Sequence, residues 1–326
     1  MKNSCHPTLL PSFPMKTLSL TTRSLRPTAA NRTGANRLVS WHAVSGLVVL
    51  PLAAWWFTRG APGWVVMWAV AGAEFGALKL LTLTGLWRTA PAWRVGAYLA
   101  LWPGMNAGTF LAPNVRGAPV PNRAELTFAV AKLAGGLVAC AWAVRNVDAA
   151  PMMVVGWVGM LGIIFTLHFG ALHVVSWIWR RAGMAAPPLM RAPIAATSLA
   201  DFWGVRWNVA FAECGRRYVL RPLARHWGTR VAGGVVFLVS GLVHESVVSV
   251  PAGGGWGGPT LYFGLQGAGA WFEKTAAGRR LGLAAGWRGW TWTVLITAVP
   301  LPFLFHEPFV GHVIVPLFRF IAASLL

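Results

Sequence analysis

From Leu38 onward the chain reads as apolar runs separated by short polar breaks, at about 38–58, 62–83, 95–112, 126–144 and 152–178, then at about 231–250, 259–273, 289–305 and 308–325. A helix that crosses a bilayer needs roughly 20 mainly apolar residues. The pattern therefore predicts an all-α, polytopic integral membrane protein with about eight or nine transmembrane helices and no internal repeat. Barrel strands would alternate polar and apolar positions over about 10 residues, whereas a stretch such as 231–250 is apolar on both parities. The run at 152–178 holds His168 and His173 and is longer than one span needs, which predicts either a strongly tilted helix or two shorter pieces.

Composition sharpens this picture. Of 326 residues, 56% are apolar and 11% charged, and the mean hydropathy is +0.56. Soluble domains carry about a quarter charged residues, so a soluble fold is excluded. There are 28 Lys and Arg against 8 Asp and Glu, a net charge of +20. In a polytopic protein such an excess marks positive-inside topology and contact with anionic headgroups rather than nucleic acid.

Residues 179–230 hold nine Arg against Asp201 and Glu213, which predicts a cytoplasmic loop. A second basic cluster comprises Lys274, Arg279, Arg280 and Arg288. Residues 1–37 are basic, without acids, and rich in Ser, Thr, Asn and Pro. They read as a disordered tail, a transit-like peptide, or an over-long start with translation beginning at Met15. The remainder, 38–326, reads as one transmembrane domain. Many Trp, among them Trp55, Trp56, Trp87, Trp179, Trp271, Trp287 and Trp290, fall near run ends, where an amphipathic ring suits the headgroup level. Cys5, Cys140 and Cys214 lie too far apart in sequence for a metal spacing or a disulfide framework.

Ionisable residues inside an apolar run are costly and mark candidate chemistry. The sharpest is His244, followed by Glu245. If its helix starts near Val231, His244 lies about 20 Å in, past the middle of a roughly 30 Å hydrocarbon core. Helical spacing gives it a face shared with Phe237, Ser240, Gly241, Val247 and Val248, where Ser240 and Gly241 leave space beside the ring. That arrangement suits a cavity wall holding a neutral imidazole able to accept a proton; the plainer reading is a structural His hydrogen-bonded between helices. Glu245 points about 100° away around the helix. A second candidate is the segment 197–208, TSLADFWGVRWN. Ser198 three residues before Asp201 predicts a helix start. Continued as an α-helix, it would put Asp201, Val205 and Asn208 on one face, in an amphipathic loop helix that is otherwise a plain interfacial anchor.

The segment 198–208, SLADFWGVRWN, followed by SGLVHE at 240–245, resembles the membrane-bound O-acyltransferase family, most closely its wax synthase branch. WPGMN at 102–106 and FHEPF at 305–309 add weaker matches, so the resemblance touches roughly 95–315. Two departures stand out. Val205 replaces the first Arg of the usual Arg-Arg pair, removing a partner for Asp201 at i,i+4, and Asn106 stands where the early segment often has Asp.

The resemblance implies that His244 and Asn208 are the paired active-site residues. The reaction would move a fatty acyl group from acyl-CoA to the hydroxyl of a long-chain alcohol or another lipid acceptor, with no metal or further cofactor. His244 would take the proton of the attacking hydroxyl, and the Asn208 amide would serve the oxyanion or the substrate's register. Asp201, Trp203, Arg206, Trp207, Ser240, Glu245, Arg216 and Arg217 would line the substrate site, with Arg206, Arg216, Arg217 and Arg221 facing the coenzyme A phosphates unless they merely set topology. The setting would be a bacterial inner membrane or the endoplasmic reticulum, and oligomeric state is not legible.

Other readings stay open. A sterol, diacylglycerol or a polar hydroxyl can replace the alcohol. A transporter can use buried His, Glu74 and Lys79 as an ion path. A di-iron enzyme would need denser His boxes than eight His supply. His306-Glu307 rivals His244 as base, although Pro308 directly after it points to an interfacial position.

Overall fold

A computed structural model describes residues 41–88, 90–112 and 120–325, without the side chains of 41–44, all within the compact unit Ser40–Leu326. The basic stretch 1–37, with Cys5, lies outside the described residues. Among the described residues every regular element is helical. Five helices are long and apolar enough to cross a membrane: α2 (Gly63–Leu83), α5 (Arg123–Arg145), α6 (Met152–Arg181), α8 (Val209–Ala252) and α13 (Glu307–Leu325). Shorter helices are α1 (Trp41–Thr58), α3 (Ala92–Ala100), α4 (Ala107–Leu111), α9 (Gly258–Phe272), α10 (Ala276–Arg280), α11 (Gly286–Ala298) and α12 (Leu301–Leu304). A two-part turn of helix, Leu199–Asp201 continued as a π-turn Phe202–Arg206, forms α7. The chain is thus an all-α, multi-pass membrane protein.

The apolar runs and the helices differ in instructive places. The run 95–112 is broken: α3 ends at Ala100 and α4 begins at Ala107. The free carbonyls of the break are gathered by Lys79, only 1% exposed, whose ammonium donates to Tyr98 O at 2.9 Å, Gly104 O at 2.6 Å and Trp102 O. All three of its donors find acceptors, which is how a buried ammonium becomes tolerable. Lys79 therefore braces the WPGMN turn.

The long run at 152–178 is one helix, α6, interrupted by a π-turn over Phe165–Ala171. The run at 231–250 is the second half of α8, which bends at Gly228, where φ is 75° and ψ 164°, a conformation only glycine adopts cheaply. At the other end, Pro300 stands between α11 and α12, and Pro302 sits in the first turn of α12.

Apolar side chains fill the core and also cover much of the outer surface. Large apolar side chains such as Phe57, Val138 and Val299 face outward, while Gln266, Glu273, Ser176 and Ser249 are buried. Small residues let helices touch. A Cβ added at Gly136 would strike Thr166, and one at Gly162 would strike Cys140, so α5 and α6 meet backbone to backbone. Several polar groups of these two helices are paired, although the buried His168 Nδ1 is not. Glu125 accepts from Arg180 and bonds His173 Nε2 at 2.8 Å, and Lys132 lies 2.9 Å from His173 Nδ1. Of the run-end tryptophans, Trp56, Trp87, Trp271 and Trp287 are exposed as anchors should be. Trp179 instead donates to Leu101 O at 3.0 Å and meets Phe110 edge-on.

Candidate active site

Ser198 starts α7 as predicted, its hydroxyl accepting the N–H of Asp201 at 3.0 Å. The helix then widens. Trp207 N–H bonds Phe202 O, five residues back, at 2.8 Å, and the same i to i+5 register brings Arg206 Nε to Asp201 Oδ2 at 2.5 Å. Arg206 thus takes the bracing role that Val205 cannot fill. It also reaches the carbonyls of Arg191 and Ala192, so its charge is committed within the loop.

The expected single face of Asp201, Val205 and Asn208 is not formed. The helix ends at Arg206, Val205 is exposed, and Asn208 sits in the left-handed region with φ 39° and ψ 63°. The reason is local: the π-turn shifts the register by one residue, Trp207 then leaves the helix in an extended conformation, and the left-handed Asn208 redirects the chain into α8. Asn208 is the N-cap residue of α8, but its side chain makes no capping bond; its N–H points to Met190 Sδ at 3.2 Å. Its amide is therefore not consumed by the helix start.

The aromatic residues of this turn form a wall. Phe202 and Trp207 stack at 5.5 Å and 12°. Trp203 packs on Phe237 of α8 and on Tyr262 and Phe263 of α9, with ring separations of 6.2, 6.5 and 5.4 Å. Phe263 in turn lies 4.4 Å from the His244 ring. The two predicted segments are thereby joined through one side chain.

His244 is the last residue before the π-turn Glu245–Ser249. Its Nδ1 lies 2.7 Å from Ser240 O. A carbonyl only accepts, so Nδ1 carries the proton and Nε2 keeps its lone pair. The ring is half-buried. The Ser240 hydroxyl is used within its own helix, donating to Val236 O at 2.9 Å. Glu245 turns toward α9, where one oxygen accepts from Thr260 N at 3.1 Å and Thr260 Oγ1 at 2.9 Å, while Oε2 is buried without a partner.

The rival, His306, is differently placed. Its Nδ1 accepts Phe309 N–H at 3.2 Å and its Nε2 lies 3.3 Å from Ser249 Oγ. Burial also holds its imidazole below the usual histidine range, and the Glu245 carboxylate partly opposes this. Both ring nitrogens are engaged, which leaves no lone pair for a substrate.

A cleft of about 270 Å³ is lined by Asn106, Glu213, Arg216, Arg217, Tyr218 and Arg221, among others. Arg216 donates to Gly204 O at 2.7 Å, tying the cleft to α7. Three of the four arginines singled out from sequence converge here; Arg206 does not. Sequence reading missed Thr260, Phe263, Gln266 and Glu273. The available signal was two polar residues, Gln266 and Glu273, seven apart in an apolar run.

Residues 186–265 match the membrane bound O-acyl transferase family. This stretch includes both Asn208 and His244. The chain is similar to probable long-chain-alcohol O-fatty-acyltransferase 9 of Arabidopsis thaliana, 38% identical over 73 residues, 20% of this chain and 21% of the relative. It is 30% identical over 141 residues to probable long-chain-alcohol O-fatty-acyltransferase 1 of the same plant, 41% of this chain and 40% of the relative. To the long-chain-alcohol O-fatty-acyltransferase of Simmondsia chinensis it is 38% identical over 71 residues, 19% and 20% respectively. The chain thus spans between about a fifth and two fifths of the length of these curated relatives. The resemblance to membrane-bound O-acyltransferases, on their wax synthase-like side, holds across this segment.

Proposed function

We propose that the protein is an acyl-CoA-dependent O-acyltransferase that esterifies a long-chain alcohol to a wax ester, built as one transmembrane domain over 38–326 with eight or nine spans. The observation that carries this reading is the His244 ring, with Nδ1–H fixed on Ser240 O and a free Nε2, inside the segment matched to the family. An alcohol is a poor nucleophile until a base takes its proton during attack. Nε2 of His244 takes that proton as the hydroxyl oxygen adds to the thioester carbonyl. The Asn208 amide donates to the resulting oxyanion. Collapse expels coenzyme A as a thiolate, a good leaving group on the cysteine scale of about 8.5, and the imidazolium returns the proton to it. No cofactor beyond this co-substrate enters the scheme.

The aromatic wall of Trp203, Trp207, Phe237 and Phe263 suits an alkyl chain, which favours a lipidic acceptor over a sugar. The loop 179–230 is read as cytoplasmic, so that acyl-CoA meets the cleft of Arg216, Arg217 and Arg221 from that side. Replacing Arg217 and Arg221 together by Gln should raise the KM for acyl-CoA about tenfold or more, since charge-assisted hydrogen bonds contribute about 1.5–3 kcal/mol each and 1.4 kcal/mol is tenfold. Turnover at saturation should change little. Initial rates across an acyl-CoA series, at two salt concentrations, check this.

The test of the function is acyl transfer in membranes of a host without background activity, with labelled palmitoyl-CoA and hexadecanol, a sterol or diacylglycerol in parallel. A wax ester made only with hexadecanol supports the reading. A product with another acceptor keeps the chemistry and corrects the substrate, and no product from inserted protein overturns it.

A further inference from the structure

One side of α9 and its C-cap residue touch both the His244–Glu245 turn and the α7 turn. Thr260 donates twice to Glu245, the residue after His244. One turn on, Phe263 packs on the His244 ring and on Trp203. Gln266, fully buried, accepts the Trp203 indole N–H at 3.1 Å and donates to Ile296 O on α11 at 2.6 Å. Two turns further, Glu273, 1% exposed, accepts the N–H groups of Leu199 and Ala200 at 2.9 and 3.1 Å. These are the orphan donors at the start of α7.

The spacing 260, 263, 266, 273 keeps all four on a common side of the helix. Burying an amide and a carboxylate in an apolar helix costs several kcal/mol unless their partners are supplied, and here the partners are the loop that leads to Asn208. Ordinary core packing would be met by apolar side chains at 266 and 273. It does not require acceptors aimed at Trp203 Nε1 and at two helix-start amides.

We infer that α9 is a ruler: Gln266 and Glu273 are positioning residues that hold the α7 turn, and with it Asn208, in register with His244. The inference rests on the acyl-transfer reading above for its catalytic consequence, and on geometry alone for the anchoring. Neither residue touches substrate. Their effect is to keep the oxyanion donor and the base at a fixed separation, and misplacement by about 1 Å can cost 10²-fold in rate.

The experiment compares the full-length wild type with Gln266→Leu, Glu273→Ala and Trp203→Phe, purified in nanodiscs, by amide hydrogen exchange and by steady-state acyl transfer. In Gln266→Leu, exchange across 197–207 should accelerate at least about tenfold while 231–250 stays protected. The kcat should fall about tenfold, with the KM for acyl-CoA within about threefold. If Gln266 acts through the indole N–H, Gln266→Leu and Trp203→Phe should be strongly non-additive in kcat.

Unchanged exchange at 197–207, loss of protection spread through 231–250, or additive kcat effects would each overturn the proposal. Should Glu273→Ala fail to fold, Gln266→Leu and its cycle with Trp203→Phe carry the test. If the wild type makes no ester with any acceptor, the enzymatic reading falls, and the exchange pattern alone still decides whether α9 anchors the loop.

Discussion

Ester formation should fall by at least about 10²–10⁴-fold in His244→Ala, the range expected for loss of a general base, while the protein still inserts and accumulates. The lost contacts are few: one hydrogen bond to Ser240 O and one face of Phe263. Among the described histidines, His312 also holds its Nδ1 on a carbonyl, Ala252 O at 2.8 Å, but it lies outside the segment matched to the family. His306 has both nitrogens engaged by Phe309 N–H and Ser249, and His173 lies within the Glu125, Lys132 and Arg180 network. The comparison to run beside it is His306→Gln, which keeps a polar side chain next to Ser249 and should retain most of the turnover. Labelled wax ester resolved from both variants, at matched protein in the membrane, decides between them. An active His244→Ala with a dead His306→Gln would transfer the base to the C-terminal motif.

Much of this was legible in sequence because bilayer physics is coarse. Continuous apolar length predicts helices such as α2, α5 and α13 without reference to partners. The breaks were harder. Nothing in the run 95–112 shows that a lysine from another helix will gather the carbonyls of Tyr98, Trp102 and Gly104. Likewise, π-turns have no strong local signature, and one of them undid the expected alignment of Asp201, Val205 and Asn208. The same turn explains how Arg206 compensates for Val205: the register moves by one residue and so does the ion pair. For the site, the two residues proposed to carry the chemistry could be singled out by motif and by the cost of burying His244. Those that hold them apart could not, because Gln266 and Glu273 acquire meaning only through partners about 60 to 75 positions away in sequence.

Asn208 allows a cleaner test than its position suggests, because two roles are superimposed on it. Its backbone occupies the left-handed region at φ 39°, where an alanine would be strained by about 1 kcal/mol. Asn208→Ala therefore removes the amide and strains the turn at once. Asn208→Gly removes only the amide, since glycine adopts positive φ freely, and it leaves Asn208 N–H to Met190 Sδ undisturbed. If the side-chain amide serves the oxyanion, Asn208→Gly should accumulate and melt like the wild type while kcat falls about 10²–10³-fold, the loss seen when one oxyanion donor is removed. The KM for acyl-CoA should stay near its starting value, because the interaction is made in the transition state rather than on binding. Asn208→Asp retains the left-handed preference and the shape but replaces the donor with an acceptor of negative charge, so it should be at least as inactive as the glycine variant. If Asn208→Gly keeps wild-type turnover while Asn208→Ala loses it, the residue is there for its backbone angle, and the oxyanion must be met by another donor.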